Sequence, residues 1–218
     1  VITEKDSSPL PIRSRGFTDA GIYVMRYDDC CMIVDIGSVG QNGNGGHAHN
    51  DTLSFELYVN GQSWIIDPGT YVYTADYQAR NLFRSTRYHN TLLVDDTEQL
   101  AFSNDVLWSL KGREQPQVTL WEVKDTCVHF EGEDRAYTQL PDPLIHRRRI
   151  CFNVETKLWF IDDFLSTDGS HICEMRFHCM PGIEVVSVDS LRCELHSTQA
   201  QNPLGLAFTL CSGAVSYT

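Results

Sequence analysis

The stretch LSFELYVNGQSWII, residues 53–66, is the clearest indication of the fold in this chain. Phe55, Leu57 and Val59 alternate with neighbours that tolerate water, which is the period-two pattern of a strand with one buried face. Asn60-Gly61 follows directly, and this pair favours a tight two-residue hairpin turn. The stretch therefore predicts two antiparallel strands joined by that turn.

Short strand-like runs recur along the rest of the chain, rich in Val, Ile, Phe, Tyr and Trp and separated by turn residues. No segment keeps a helical period of 3.6, and the best helical candidate, residues 75–83, is short. With 218 residues the chain is long enough to bury a sizeable core. We therefore predict an all-β fold, a large antiparallel β-sandwich of two sheets that is jelly-roll-like or a supersandwich.

Composition and charge narrow the classes of function. Hydrophobic residues make up 42% of the chain and charged residues 21%, as in an ordinary globular protein. No run of about 18 apolar residues is present, so no membrane span is predicted. The net charge of −12 argues against a nucleic-acid surface. An acidic ligand would need a local cationic patch, and the candidates are the Arg80, Arg84 and Arg87 segment and the Arg147–Arg149 run.

The eight cysteines do not predict a metal or disulfide framework. No CxxC pair occurs, which disfavours a thiolate zinc knuckle, and a chain of this size needs no disulfides to fold. Several cysteines, among them Cys127, Cys151 and Cys193, lie within apolar strand-like runs. We predict that most of them are buried free thiols.

The densest group of polar residues surrounds His47 and His49, just before the predicted hairpin. Asp67 directly follows the second strand of that hairpin, and His89 directly precedes another apolar run. Two or three imidazoles with one carboxylate are a typical ligand set for zinc with an open position. The pattern alone also permits a plainer interpretation, in which these are scattered polar residues of loops.

Longer motifs relate the chain to a known family. The string GGHAHNDTLSFELYVNGQSWIIDPGTYVY at residues 45–73, followed by RNLFRSTRYHNTLLVDD at residues 80–96, resembles the core signature of the heparinase II/III-like family. The strings HRRRICFN, KLWFIDDFL and HICEMRFHCMPG, all within residues 146–182, resemble its second half. The elements GHxHxD, DPG and HNT in this order are more specific than any one alone, and the resemblance covers most of the chain.

The resemblance implies a polysaccharide lyase that cleaves uronate-containing glycans, heparin- or heparan-sulfate-like or alginate-like, by β-elimination. It places one zinc ion on His49, Asp67 and His89, and it makes His47 the neighbouring catalytic histidine that faces the substrate. Lyases of this kind often use a phenol as acid or base, and Tyr71 is the first choice because it follows the Asp67 turn closely. The other nearby candidates are Tyr73, Tyr77 and Tyr88.

Two arginines are candidate substrate ligands. Arg84 and Arg87 could bind the sulfate or carboxylate groups of an acidic polysaccharide through forked hydrogen bonds. The alternative is that they form ion pairs with Asp95, Asp96 or other acids of this acidic chain.

The resemblance also implies a larger protein. Residues 1–15 would be a linker from an N-terminal helical domain, an (α/α) toroid, and residues 16–218 the heparinase II/III-like β-sandwich. Substrate would lie between the two domains, so the β domain alone is predicted to be inactive. The whole would be a bacterial protein, periplasmic or secreted, with its targeting signal upstream.

Two other functions stay open at this point. The chain could be a non-catalytic carbohydrate-binding or structural module of an exopolysaccharide-processing protein, in which a metal only staples loops. It could also be a cupin-like metal enzyme, but the HxH…E…H arrangement is missing, because Glu56 lies in the middle of an alternating strand. His47 separates the first two functions, since only a catalytic His47 is required for turnover.

Overall fold

Antiparallel strands form most of the regular structure of the chain, and the all-β sandwich prediction is confirmed. The structure is a computed structural model that describes residues 12–102, 106, 108–111, 116–189, 191–200 and 202–209. The strands in chain order are β1 (Arg15–Phe17), β2 (Ile22–Tyr27), β3 (Cys30–Asp35), β4 (Phe55–Val59), β5 (Gln62–Ile65), β6 (Leu92–Val94), β7 (Ala101–Phe102), β8 (Leu110–Lys111), β9 (Gln117–Val123), β10 (Cys127–Asp134), β11 (Ile145–Asn153), β12 (Leu158–Ser166), β13 (Cys173–Met175), β14 (Glu184–Asp189), β15 (Arg192–His196) and β16 (Leu204–Ala207).

Two of the sheets position the site. The first has the order β1-β2-β3-β4-β5 and the second the order β12-β11-β10-β9. Smaller sheets pair β13 with β6 and β7 with β8, and a three-stranded sheet has the order β14-β15-β16. The predicted hairpin is β4 and β5, and its turn residues Asn60 and Gly61 have φ of 53° and 81°. Two positive φ angles are what a two-residue turn of this type requires.

The core lies between the first and second sheets. Met25 and Met32 of the first sheet belong to the same buried cluster as Phe130 and Phe152 of the second. Full burial of each such side chain contributes roughly 1.5–3 kcal/mol. Val128 and Phe130 of β10 and Ile150 and Phe152 of β11 alternate with less buried neighbours, as expected of strands with one face in the core.

The helices are few and short among the described residues. They are α1 (Gly40–Gly43), α2 (Tyr77–Phe83) and the 3₁₀ turns Thr86–Tyr88 and Ala136–Gln139. The helix predicted at residues 75–83 is therefore confirmed, and Asp76 caps it by accepting hydrogen bonds from the next turn. No helix in these parts of the chain has the length and apolar character that a membrane crossing needs.

Two expectations need adjustment. Residues 1–11 of the predicted linker lie outside the described residues, but the Arg13 backbone already hydrogen-bonds to Arg26 and Arg15 pairs with β2. The sheet thus begins before residue 16. The seven described cysteines are free thiols, yet only Cys30 is fully buried, so the prediction that most are buried is wrong. Cys211 lies outside the described residues.

Candidate functional site

A cleft of about 490 Å³ opens beside the loop that carries the histidine motif. Its lining includes His47, His49 and three carboxylates, those of Asp35, Asp51 and Asp67. No lysine or arginine belongs to this lining in the part of the chain that the structure describes. The cleft therefore concentrates negative charge beside imidazoles, which favours a bound cation over a bound anion.

Two residues of the cleft lining and the buried His89 form a group suited to a metal ion. One ligand atom each from His49, Asp51 and His89 lies within 4.8 Å of the other two. The rings of the two histidines are 5.3 Å apart between centroids. Nε2 of His89 is buried and has no hydrogen-bond partner. An unpaired buried nitrogen costs about 1–3 kcal/mol, so a ligand at this atom is the natural explanation, and two imidazoles with a carboxylate suit zinc.

Asp67 contacts His89 at Nδ1, the ring nitrogen that is not free for a metal. Its Oδ2 lies 2.7 Å from Nδ1 of His89, and its Oδ1 accepts a 2.6 Å hydrogen bond from the Gly69 amide. Gly69 has a φ of 71°, so the Asp-Pro-Gly turn needs glycine there. A carboxylate on one ring nitrogen fixes the histidine so that the other can bind metal. Asp67 contacts a ligand of the group, and its role as a direct ligand stays a prediction.

Asp51 was missed as a candidate ligand from the sequence. It follows His49 by two residues in the GHxHxD motif, which was the only signal for it. The motif identified the segment without saying which of its polar side chains turn inward. That choice depends on the loop conformation, which brings a ligand atom of Asp51 within 4.8 Å of one of His89.

Burial and neighbouring charges shift the protonation of the whole group. Burial raises the pKa of Asp51 to about 7, and the carboxylates of Asp35 and Asp67 add to the effect. Burial, followed by the nearby charge of His89, lowers the pKa of His49 to about 4. Burial also acts on Asp67 and His89, but their mutual hydrogen bond outweighs it, lowering the pKa of Asp67 and raising that of His89. His49 is thus a neutral imidazole, the form that binds a metal.

Asn90 fixes the position of His89, the residue before it. Its side-chain amide donates hydrogen bonds of 2.8 Å and 2.9 Å to the carbonyls of Phe55 and Ile66. Its side-chain oxygen accepts a 2.6 Å hydrogen bond from the amide of His178. One fully buried side chain thereby joins β4, the end of β5 and the segment after β13 at the point where the site is built.

A buried arginine supports this junction from the second sheet. Arg148 is fully buried, and its Nη1 donates hydrogen bonds to the carbonyls of Leu53 (2.6 Å) and Asn90 (2.8 Å). Its Nε and Nη2 bind both oxygens of Asp163, one of which also lies 2.7 Å from Nε2 of His146. Burial would raise the pKa of Asp163, but Arg148 and His146 outweigh it and hold the pKa well below its usual range.

The neighbouring arginines on β11 face the other way. Arg147 pairs with Glu133 at 3.0 Å and Arg149 with Glu131 at 2.9 Å, and both arginine side chains are nearly half exposed. The Arg147–Arg149 run is therefore paired internally on one face and buried on the other. It does not supply a free cationic patch for an acidic ligand.

His47 has a different environment from His49. Its exposed ring lies 5.1 Å from the ring of Trp108 and 6.0 Å from that of Tyr73, between centroids. Arg80 lies over Trp108 at 4.1 Å and donates a hydrogen bond to the Gly46 carbonyl. His47 therefore faces an aromatic rim. Trp108 had no motif around it, and only the fold brings it to the site.

Tyr71 is not among the residues that line the cleft. Its side chain is 72% exposed, and its ring stacks on Phe83 with centroids 4.8 Å apart. Tyr73 is the tyrosine closest to His47 among the described ring contacts. The catalytic role of Tyr71 stays a prediction, and Tyr73 becomes an equal candidate on position.

Of the two arginines predicted to bind substrate, Arg84 is buried and Arg87 is in an ion pair. Arg84 is completely buried, its Nε donates to Asn81, and burial lowers its pKa to about 10. Arg87 forms an ion pair with Asp96, which is the alternative that the sequence left open. In this conformation Arg84 cannot contact a saccharide at the surface, and substrate binding by either arginine stays a prediction.

Comparison with known proteins decides the family. Residues 10–214 match the family described as "Heparinase II/III-like, C-terminal". The chain belongs to this family. The resemblance predicted from the motifs is thereby confirmed.

The relatives of this heparinase II/III-like chain are larger proteins. A heparin-sulfate lyase from Bacteroides stercoris is 28% identical over 185 residues, which cover 79% of this chain and 24% of that protein. A heparin-sulfate lyase from Pedobacter heparinus is 31% identical over 90 residues, 38% of this chain and 13% of that protein. The chain spans about a quarter or less of these relatives.

Solved structures show the same fold. A mutant of the heparan sulfate lyase HepC from Pedobacter heparinus superposes with a TM-score of 0.68 at 22% identity, over 85% of this chain and 27% of that one. A structure of heparinase III superposes with a TM-score of 0.66 at 20% identity, over 85% of this chain and 28% of that one. These similarities establish the β architecture of the heparinase II/III-like chain.

Proposed function

We propose that this heparinase II/III-like domain is the metal-binding part of a polysaccharide lyase that cleaves uronate-containing glycans by β-elimination. The observation that carries the proposal is the cleft in which His47 stands beside the group formed by His49, Asp51 and His89. The names of the relatives support a glycan of the heparin or heparan sulfate class, and an alginate-like glycan has the same reactive uronate.

The metal would be one zinc ion held by His49, Asp51 and His89. When bound, zinc supplies a fixed positive charge in a cleft that is otherwise rich in carboxylates. Asp67 orients His89 through Nδ1, and Asn90 holds the backbone at that point. The role implied by the family resemblance, Asp67 as a direct ligand, is the competing assignment, and separate Asp51→Asn and Asp67→Asn variants distinguish the two.

His47 is the residue that this chain offers to the reaction. In β-elimination a base removes the C5 proton of the uronate, the pair of electrons forms the new double bond, and the C4–oxygen bond breaks. The proton is acidic enough only when the uronate carboxylate is neutralised, and a hydrogen bond from His47 can do this. Tyr71 or Tyr73 is the phenol proposed to move a proton at the base or at the leaving oxygen.

A helical N-terminal domain would complete this site. Among the described arginines near the cleft, Arg80 and Arg84 are buried, Arg87 pairs with Asp96, and Arg148 pairs with Asp163. The cationic groups that an acidic polysaccharide needs would therefore come from the partner domain. The bacterial sources of the relatives support a whole protein that processes such glycans in the periplasm or outside a bacterial cell.

The test is a lyase assay of the complete protein with heparan sulfate and with alginate. Turnover is measured through the ultraviolet absorbance of the unsaturated uronate product. His47→Ala should lower turnover by about 10²–10⁴-fold while zinc content and stability stay unchanged. His196→Ala, at a partly exposed histidine paired with Glu194, is the matched control and should not change turnover. Full activity of His47→Ala would refute the catalytic assignment.

The 218-residue chain alone should show little or no turnover on the same substrates. Robust turnover by the chain alone would overturn the need for a second domain.

A second function is favoured by one observation, the aromatic rim that exposed Tyr73 and partly buried Trp108 form beside His47. Aromatic rings present apolar faces that suit the flat faces of sugar rings. A carbohydrate-binding module would use this rim without chemistry. In that case His47→Ala would weaken glycan binding by the chain but would leave turnover of the complete protein intact.

A further inference from the structure

A second group of metal-ligating side chains lies on the outer face of the second sheet. Cys127 and His129 are two residues apart on β10, so they project from the same face of the strand. Cys151 on β11 is the direct cross-strand partner of His129. Their strand neighbours Val128 and Phe130, and the neighbours of Cys151, Ile150 and Phe152, are fully buried on the opposite face, so all three ligand residues point outward.

The three side chains are close enough to share one ion. A ligand atom from each lies within 4.8 Å of the other two. In a tetrahedral zinc site with Zn–S of about 2.3 Å and Zn–N of about 2.0–2.1 Å, ligand atoms are roughly 3.5–3.8 Å apart. Small side-chain rotations of Cys127, His129 and Cys151 are therefore sufficient, and the paired strands hold the backbone in place.

We propose that Cys127, His129 and Cys151 form a second metal site, specific for zinc or another thiolate-preferring ion and independent of the cleft. Two thiolates and one imidazole are a soft ligand set that suits zinc over magnesium or calcium. All three residues are partly exposed, so an ion can enter from solvent. Glu122, opposite His129 on β9, forms an ion pair with Lys124, so water would take the fourth position.

The site is independent of the proposed function, since none of its residues lines the cleft. Sequence spacing disfavoured a thiolate site because no CxxC pair occurs. The ligands instead come from two strands that the register brings together. A bound ion would cross-link β10 and β11, and it would protect both thiols from oxidation.

Cobalt(II) is the probe, because thiolate ligands give it an intense charge-transfer absorption in the near ultraviolet that nitrogen and oxygen ligands do not give. The reduced full chain should show this band at one equivalent of cobalt, and zinc should displace it. Cys127→Ser with Cys151→Ser should abolish the band. Cys179→Ser with Cys193→Ser, at another pair of neighbouring thiols, is the matched control and should retain it.

A second measurement does not depend on variants. Zinc should protect two thiols per wild-type chain from a thiol reagent, and mass mapping should identify them as Cys127 and Cys151. The proposal is overturned if the reduced chain gives no thiolate band, if the Cys127 and Cys151 variant keeps it, or if the control loses it. A Cys127–Cys151 disulfide that binds no metal after reduction also overturns it. The cleft site has no thiolate ligand and gives no thiolate band. Failure of the cleft site would therefore be seen separately, as the absence of a zinc ion bound by His49, Asp51 and His89.

Discussion

Two regions around the cleft differ in how their side chains are held. We call His89, Asn90 and Arg148 the buried network, and His47 with Tyr73 the exposed rim. Each residue of the buried network is fully buried and bonded to a carboxylate or to several backbone groups. The exposed rim is held by ring contacts. Under the proposed function, the buried network would fix a metal position and the exposed rim would be free to contact a glycan.

The largest loss of stability should come from replacing Arg148, the arginine of the buried network. Arg148→Ala leaves the Asp163 carboxylate and the carbonyls of Leu53 and Asn90 without their donor. We expect a loss of about 3–5 kcal/mol in the free energy of unfolding, measured by urea denaturation. Arg149→Ala, one residue away but on the exposed face, should cost about 0–1 kcal/mol. Equal small losses would contradict the comparison.

Asn90 should come next in magnitude. Asn90→Ala leaves the carbonyls of Phe55 and Ile66 and the amide of His178 unpaired, so we expect a loss of roughly 2–3 kcal/mol together with weaker zinc binding. Asn153→Ala removes only hydrogen bonds to the amides of Glu155 and Thr156 at an exposed turn, and should cost about 0.5–1.5 kcal/mol with zinc binding intact. Unchanged zinc affinity in Asn90→Ala would contradict a role of Asn90 in positioning the metal site.

The hairpin at residues 53–66 and the helix α2 were predictable because their signals are local. Alternation, Asn60-Gly61 and an Asp cap act within a few residues. The motif with His47 and His49 also identified a segment that lines the cleft. The burial of Arg148 was less predictable. Alternation assigns Arg148 to one face of its strand but does not reveal the carboxylate and the carbonyls that it binds on that face.

The remaining features depend on contacts that are distant in sequence. Asp51 joins His89 only because a loop and a strand end meet, and Trp108 reaches His47 from a stretch without a motif. Cys127 and Cys151 come together through the register of two strands. Such contacts follow from the packing of sheets, which the spacing of residues within one segment does not encode.

The protonation of Asp51 gives a pH test of the buried side of the cleft. Its folded-state pKa is raised to about 7, above an unfolded value of about 3.9. Its contribution to stability is therefore fully present below about pH 4 and is lost as the pH rises through 7. In the metal-free chain, the stability of Asp51→Asn relative to wild type should therefore increase with pH. The increase from pH 5 to pH 8 should be about 2 kcal/mol.

Urea unfolding with a chelator at both pH values measures this difference. Asp67 should not contribute to it, because its lowered pKa keeps it ionised across this range. Zinc should reverse the ranking at pH 8, since a metal binds the ionised carboxylate. An equal difference at both pH values would contradict the assigned environment of Asp51.

The smallest effect on stability should appear at the exposed rim. Tyr73 is 54% exposed, so Tyr73→Ala should change the free energy of unfolding by no more than about 0.5 kcal/mol. Glycan binding by the complete protein should weaken, as measured by calorimetry, with zinc content unchanged. A destabilisation as large as that of Asn90→Ala would remove the distinction between the rim and the network.

Zinc content of the chain, measured by elemental analysis, tests the central claim most directly. The comparison uses a Cys127→Ser, Cys151→Ser background, so that only the cleft can hold the ion. We predict about one zinc per chain, lost on adding His49→Ala with His89→Ala, lost or greatly weakened in Asp51→Asn, and weakened in Asp67→Asn. A chain that binds no zinc when zinc is offered, or that keeps it without both histidines, would contradict the metal site.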